Sequence, residues 1–185
     1  EVSFRVNLGY GKGFSKKVQT GGKEAKFGIM KNKIFEAYEA AAKAGAKSFG
    51  IMNMGGSLVL TPGYYGDVFY EVLTLMKSIE AKFKIPFKYI DIGGGFGISY
   101  KKPNTGLDFN KLGKVLLDAC QKAKVDPESF TLILEPGRSV IGNTGFLVTK
   151  IISIKNSFRN FIGVDANMSS LVRTAMYGAK HRIVP

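Results

Sequence analysis

A chain of 185 residues, 45% of them hydrophobic, can bury one sizeable core, and no apolar run reaches the ~18–20 residues that cross a bilayer as a helix. One cysteine, Cys120, excludes an internal disulfide framework and reads as a small apolar residue on a helix. The net charge of +13 favours anionic partners, but the lysines are spread along the chain as on a solvated surface, without a helix-turn-helix, zinc-finger or RNA-recognition pattern.

Val2 to Leu8 alternates well enough for a strand. Gly9 to Gly22, rich in Gly, Lys, Ser and Thr, predicts a long loop of the kind that is usually functional or mobile, ended by Lys26-Phe27-Gly28-Ile29. Ile34, Ala37, Tyr38, Ala41 and Ala42 recur at helical steps, predicting a helix over 32–44 that Gly45 stops. Ser48 to Met54 reads as a buried strand closed by Gly55-Gly56-Ser57. Pro62 and Gly63 then open a helix over 65–83, with Val68, Val72, Leu75, Met76 and Ile79 on one face. A strand over 88–92, a helix from Leu107 to Ala123 and a strand ending at Glu135 complete the series. Strands alternating with helical crossovers predict a parallel sheet. The unusual residues gather at the strand ends, as in a β/α barrel, and a doubly wound open sheet is the alternative on pattern alone.

After Gly145 the pattern changes. Phe146 to Ile154 and Phe161 to Asp165 read as strands with no helix between them, and Asn156 to Asn160 has room only for a turn, so the pair is expected to be antiparallel. The expected division is 1–144 for the α/β part and 145–185 for the beginning of a β domain. Four barrel strands and part of a β domain do not close a core, so the sequence is expected to be a segment of a longer protein or to need other chains.

Two strand ends carry chemistry. Tyr89-Ile90-Asp91-Ile92 breaks into Gly93-Gly94-Gly95-Phe96-Gly97. Such a backbone can approach a phosphate closely with its N–H groups, or it can simply make a tight turn needing positive φ. Thr131 to Leu134 breaks into Glu135-Pro136-Gly137-Arg138. Glu135 reads equally as a functional acid or a turn acid paired with a lysine, and Arg138 as a carboxylate ligand or a surface arginine at a helix end. Arg173 and Tyr177, four apart, share one side of a helix or turn. His181, the only histidine, reads as a structural residue. No metal site is read.

Several motifs in order resemble the diaminopimelate decarboxylases, a family within the alanine-racemase-like, pyridoxal-phosphate-dependent (group IV) decarboxylases. They are Arg5-Val6-Asn7, Gly11 and Gly13, Thr20-Gly21-Gly22, Lys26 to Ile29, Gly56-Ser57, Asp91 to Gly97, Glu135 to Arg138, Asp165, and Arg173 through Tyr177 with His181. The resemblance implies the C-terminal half of a (β/α)8 TIM-like barrel leading into a β domain, with 1–144 as the partial barrel that binds pyridoxal 5'-phosphate. It implies that Gly93, Gly94, Gly95 and Ser57 hold the phosphate, with Gly137 and Arg138 also at the cofactor. Glu135 would act in catalysis by bonding the ring nitrogen, keeping it protonated so that the ring takes up the electrons left when carbon dioxide departs. Arg138, Arg173 and Tyr177 would bind the amino-acid substrate. A homodimer with composite active sites is implied, and the compartment is expected to be the cytoplasm, an organelle stroma or matrix being compatible too.

The sequence departs from the family pattern in four places. The Schiff-base lysine would lie upstream of Glu1, and the motif that supplies a cysteine and an acid across the dimer interface would lie beyond Pro185. Met54 stands where the family commonly has a histidine stacked on the cofactor ring, and Thr174 where it usually has proline. The implied activity is decarboxylation of meso-2,6-diaminopimelate to L-lysine. The alternatives are a related decarboxylase of another basic amino acid or polyamine precursor, and a degenerate barrel with a structural or nucleic-acid-associated role.

Overall fold

The computed structural model of the chain describes residues 1–13, 18–100 and 106–185. The strand β1 (Val2–Asn7) is followed by two short segments, β2 (Lys12–Gly13) and β3 (Ile29–Met30), and by the helix α1 (Ile34–Lys43). Next come β4 (Phe49–Met52), β5 (Gly56–Ser57), the long helix α2 (Pro62–Phe83), β6 (Phe87–Asp91), α3 (Phe109–Ala123) and β7 (Thr131–Ile133). A short helix α4 (Arg138–Ile141), the strands β8 (Ile151–Asn156) and β9 (Asn160–Val164), and α5 (Val172–Tyr177) complete the chain. Five strands form one parallel sheet in the order β3-β1-β4-β6-β7. The expected α/β architecture with a parallel sheet is present. The sheet is open among the described residues, with no closed barrel.

The core lies where α1, α2 and α3 cover this sheet. Along β4 and β6, Phe49, Ile51, Phe87 and Ile90 are buried, as continuous apolar strands of a covered parallel sheet should be. Tyr38 of α1 is fully buried. It meets Phe4 and Phe87 edge-on at centroid distances of 5.0 and 5.1 Å and donates its hydroxyl to the Gly50 carbonyl at 2.6 Å. Gly50 is required there because the Tyr89 ring occupies the space a Cβ would need. Leu112, Leu116, Ala119 and Cys120 of α3 are buried, so Cys120 is the small apolar helix residue its setting predicted.

Several boundaries differ from those read in the sequence. α2 begins at Pro62 rather than Tyr65, because proline lacks only an N–H that the first helical turn leaves unbonded anyway, and its φ is already helical. β3, β2 and β5 are two-residue strands that no periodicity could announce; β2 and β5 pair with each other, Lys12 with Gly56 and Gly13 with Ser57. Residues 14–17 of the expected Gly9–Gly22 loop lie outside the described residues. Phe146 to Lys150 is not strand: β8 starts at Ile151, opposite Val164 where β9 ends, and the pair is antiparallel as expected. Phe146, Ile152, Ile154, Phe161 and Ile162 are exposed.

Candidate active site

Parallel strands deliver all their C-terminal ends to one rim, and the glycine turn, Ser57 and the Glu135 to Arg138 segment follow such ends. β6 runs out into Gly93 and Gly95, with φ of +67° and +81°, a backbone region that side chains other than glycine's enter at a cost. Closeness adds a second requirement. A Cβ on Gly94 would strike the Glu135 carbonyl oxygen, and one on Gly95 the Gly56 carbonyl oxygen, with Ser57 Cα 3.4 Å away. The Glu135 N–H donates to the Gly93 carbonyl at 2.8 Å. The glycine turn, Ser57 and Glu135 are therefore neighbours on adjacent strand tips.

The N–H groups of the turn are not equivalent. The Asp91 carboxylate takes the Gly93 N–H at 2.7 Å. The Gly94 N–H points at the Met54 sulfur, 3.2 Å away, a weak acceptor. The Gly95 N–H has no partner among the described residues. Met54 thus stands on the turn itself, between the ends of β4 and β6.

Arg5 was part of the motif pattern but received no role from the sequence. Its Nη2 donates to the carbonyls of Thr20 and Met54 at 2.8 and 2.7 Å, so one guanidinium clamps the loop after β2 to the tip of β4. Burial lowers its pKa and the charge of Glu135 opposes that shift, which places the Glu135 carboxylate within electrostatic reach. The signal that could have found it is a charged residue near the end of an otherwise alternating, half-buried strand.

Glu135 itself is exposed on the rim. Gly137 precedes α4, and Arg138 begins that helix. The Arg138 Nη1 is buried without a hydrogen-bond partner, as is the neighbouring Ser139 hydroxyl. A buried, unpaired guanidinium nitrogen calls for an anion. His181 lies within electrostatic reach of Arg173 of α5 and of Arg138, whose charges, after burial, lower its pKa. Arg173 Nη1 lies 3.1 Å from the Tyr100 hydroxyl and 3.3 Å from His181 Nε2. Tyr177 follows one turn later on α5, half-buried. The rim thus holds a glycine and serine cradle beside an acid, with a set of arginines next to it. Among the described residues no cluster of histidine, cysteine and acids could hold a metal ion.

The model of the family described as pyridoxal-dependent decarboxylase, pyridoxal binding domain, matches residues 1–142. The diaminopimelate decarboxylase of Archaeoglobus fulgidus is 36% identical over 185 residues, covering 99% of this chain and 44% of that protein. The corresponding protein of Methanothermobacter thermautotrophicus is 33% identical over 186 residues, covering 99% of this chain and 43% of its own. The structure of diaminopimelate decarboxylase from Helicobacter pylori complexed with L-lysine superposes with a TM-score of 0.84 at 29% identity, over 97% of this chain and 44% of that one. The chain spans less than half the length of the relatives it matches.

Proposed function

The chain belongs to the pyridoxal-dependent decarboxylases, matched over their pyridoxal-binding domain, and from that premise we propose that its parent protein removes carbon dioxide from meso-2,6-diaminopimelate to give L-lysine. The observation that carries the reading is the Glu135 to Gly93 hydrogen bond of 2.8 Å, which sets the acid beside the glycine turn. The residues present fit pyridoxal 5'-phosphate. The Gly95 N–H has no partner among the described residues, and Arg138 Nη1 is a buried donor in want of an anion.

In this reading Gly93, Gly94, Gly95 and Ser57 hold the phosphate. Gly95 gives its free N–H and Ser57 its hydroxyl, while the Gly93 N–H stays with Asp91 and orients the turn. Gly137 and Arg138 close the same side. When bound, the cofactor supplies the electron sink for the carbon–carbon bond that breaks. Glu135 would hold a proton at the ring nitrogen, its carboxylate offsetting the positive charge there. Met54 would offer its polarizable side chain to the ring face. Arg138, Arg173 and Tyr177 grip the substrate, whose two carboxylates match two forked guanidinium groups. This dicarboxylate preference favours diaminopimelate over a basic amino acid with one carboxylate.

We extend the same reading to the architecture. Residues 1–144 are an arc of a (β/α)8 barrel and 145–185 begin a β domain, a division supported by the change from parallel to antiparallel pairing. The site is composite in a homodimer.

The test is full-length protein supplied with pyridoxal 5'-phosphate and meso-diaminopimelate. Release of carbon dioxide with one equivalent of L-lysine is expected. No release, or faster release from lysine or ornithine, overturns the assignment.

A further inference from the structure

The segment after the glycine turn runs to the arginine of α5. Tyr100 follows Gly97 closely in the chain, and its hydroxyl lies 3.1 Å from Arg173 Nη1. His181 Nε2 lies 3.3 Å from the same nitrogen. The guanidinium carbon is 5.5 Å from the centroid of the Tyr100 ring, and the Tyr100 and His181 rings meet edge to face at 5.3 Å. An Nη nitrogen of arginine carries two hydrogens and accepts none. One is directed at the phenol oxygen and the other at the imidazole, so Nη1 is saturated and His181 Nε2 is the acceptor. The Nε and Nη2 hydrogens, the parallel pair that matches a carboxylate, have no partner among the described residues.

We propose that His181 and Tyr100 are positioning residues that hold Arg173 by Nη1 and so turn its Nε–Nη2 edge toward the carboxylate the substrate keeps. The inference deepens the proposed decarboxylation and rests on it for the identity of the ligand. Its chemistry requires a neutral imidazole with its proton on Nδ1, because a protonated ring has no lone pair to offer and adds a third cation to the pair beside it. Among the described residues, the charged and titratable groups facing His181 are Arg173, Arg138 and Tyr100. Burial, then Arg173 and Arg138, keep the imidazole below its usual pKa. As pH falls through that lowered value, His181 takes up a proton, releases Nη1, and Arg173 loses its aim.

L-Lysine and cadaverine differ only by the carboxylate, so their binding to full-length, cofactor-loaded protein isolates the effect. By calorimetric titration, His181→Leu should weaken L-lysine roughly tenfold, the size of a lost hydrogen bond to a charged group, with cadaverine unchanged. His181→Gln, whose amide oxygen accepts in the same place, should restore L-lysine binding at neutral pH and remove the weakening that the parent protein shows in mild acid. Tyr100→Phe, which keeps the ring and deletes the acceptor, should act in the same sense as His181→Leu. Equal losses for both ligands, no loss for either, or a glutamine variant that fails to restore binding overturns the proposal. A full-length protein that prefers lysine to cadaverine through His181 yet releases no carbon dioxide supports this inference while the decarboxylation falls. A protein without that preference overturns it.

Discussion

Gly95 and Gly56 lie back to back: a Cβ on Gly95 would meet the Gly56 carbonyl oxygen, and one on Gly56 would meet the carbonyl of Lys12. Three chain segments that are distant in sequence are therefore in backbone contact at the proposed phosphate cradle. Gly95 is also left-handed, with φ of +81°. Gly95→Ala combines that conformational penalty, at least ~1–2 kcal/mol, with a collision that the backbone of β5 can relieve only by moving. The expected result is a lower melting temperature without cofactor and a smaller rise when pyridoxal 5'-phosphate is added. A variant that melts and binds like the parent would show that the turn is not a close-packed cradle.

Glu135 differs from the glycines in that the fold asks little of its side chain. It is exposed, and its structural bond is made by its backbone N–H. Glu135→Gln should leave stability within about 0.5 kcal/mol. Because the amide cannot stabilise a protonated ring nitrogen by charge, decarboxylation should fall on the order of 10²- to 10³-fold, the scale seen when one preorganised electrostatic group is removed. Steady-state rates beside melting curves test this. A loss of rate matched by a loss of stability would return Glu135 to the role of a turn residue.

The sheet was legible because the segment around β1 alternates, those around β4, β6 and β7 show apolar runs, and the helices between them each repeat over two or more turns. Glu135 and Gly93 were legible as separate strand ends; that they bond to each other was not, since pairing between parallel strands leaves no local trace. The same reason hid β2, β3 and β5, whose pairing partners lie elsewhere in the chain. His181 read as structural because one histidine has no pattern to belong to, and only the fold sets it against Arg173 and Tyr100. The strand expected from Phe146 was an error of the opposite kind: β-branched and aromatic residues supply propensity, but strand requires a partner, and β9 ends opposite Ile151.

Arg5 links stability to the site. Its Nη2 serves the Thr20 and Met54 carbonyls, and its guanidinium carbon lies 5.0 Å from the centroid of the Phe27 ring. Arg5→Met keeps most of the stem but orphans the part-buried Thr20 carbonyl and leaves the Met54 carbonyl with only the Thr20 hydroxyl at 3.2 Å. A cost of ~1–3 kcal/mol is expected, read as a lower urea midpoint with unchanged slope. Because Met54, beneath the Gly94 N–H, then loses the shorter of its two tethers, pyridoxal 5'-phosphate affinity should fall as well. Arg5→Lys should recover only part of either effect, since its ammonium ends short of the Nη2 position and lacks the planar group that faces Phe27. Full recovery by lysine would mean that charge, and not the clamp, is what matters.

Asp108 provides a pH-dependent contribution to stability at the N-terminus of α3. Its carboxylate caps α3, accepting from the Lys111 N–H at 3.0 Å, and its Oδ2 lies 3.6 Å from Lys111 Nζ. The backbone hydrogen bond, followed by the lysine charge, holds its pKa below the ordinary aspartate value of 3.8. A carboxylate with a depressed folded pKa binds its proton more readily when unfolded, so the cap's contribution is complete above that ordinary value and drains away as pH falls through the lower, folded one. Asp108→Asn retains an acceptor for the cap but cannot titrate. The difference in unfolding free energy between parent and asparagine variant should therefore favour the parent at neutral pH and shrink toward zero in acid. Asp108→Ala, which removes the acceptor, should be less stable than both at neutral pH. Paired urea titrations at neutral pH and near pH 3 decide it, and a parent-to-asparagine difference that stays constant between them would exclude Asp108 as a titrating cap.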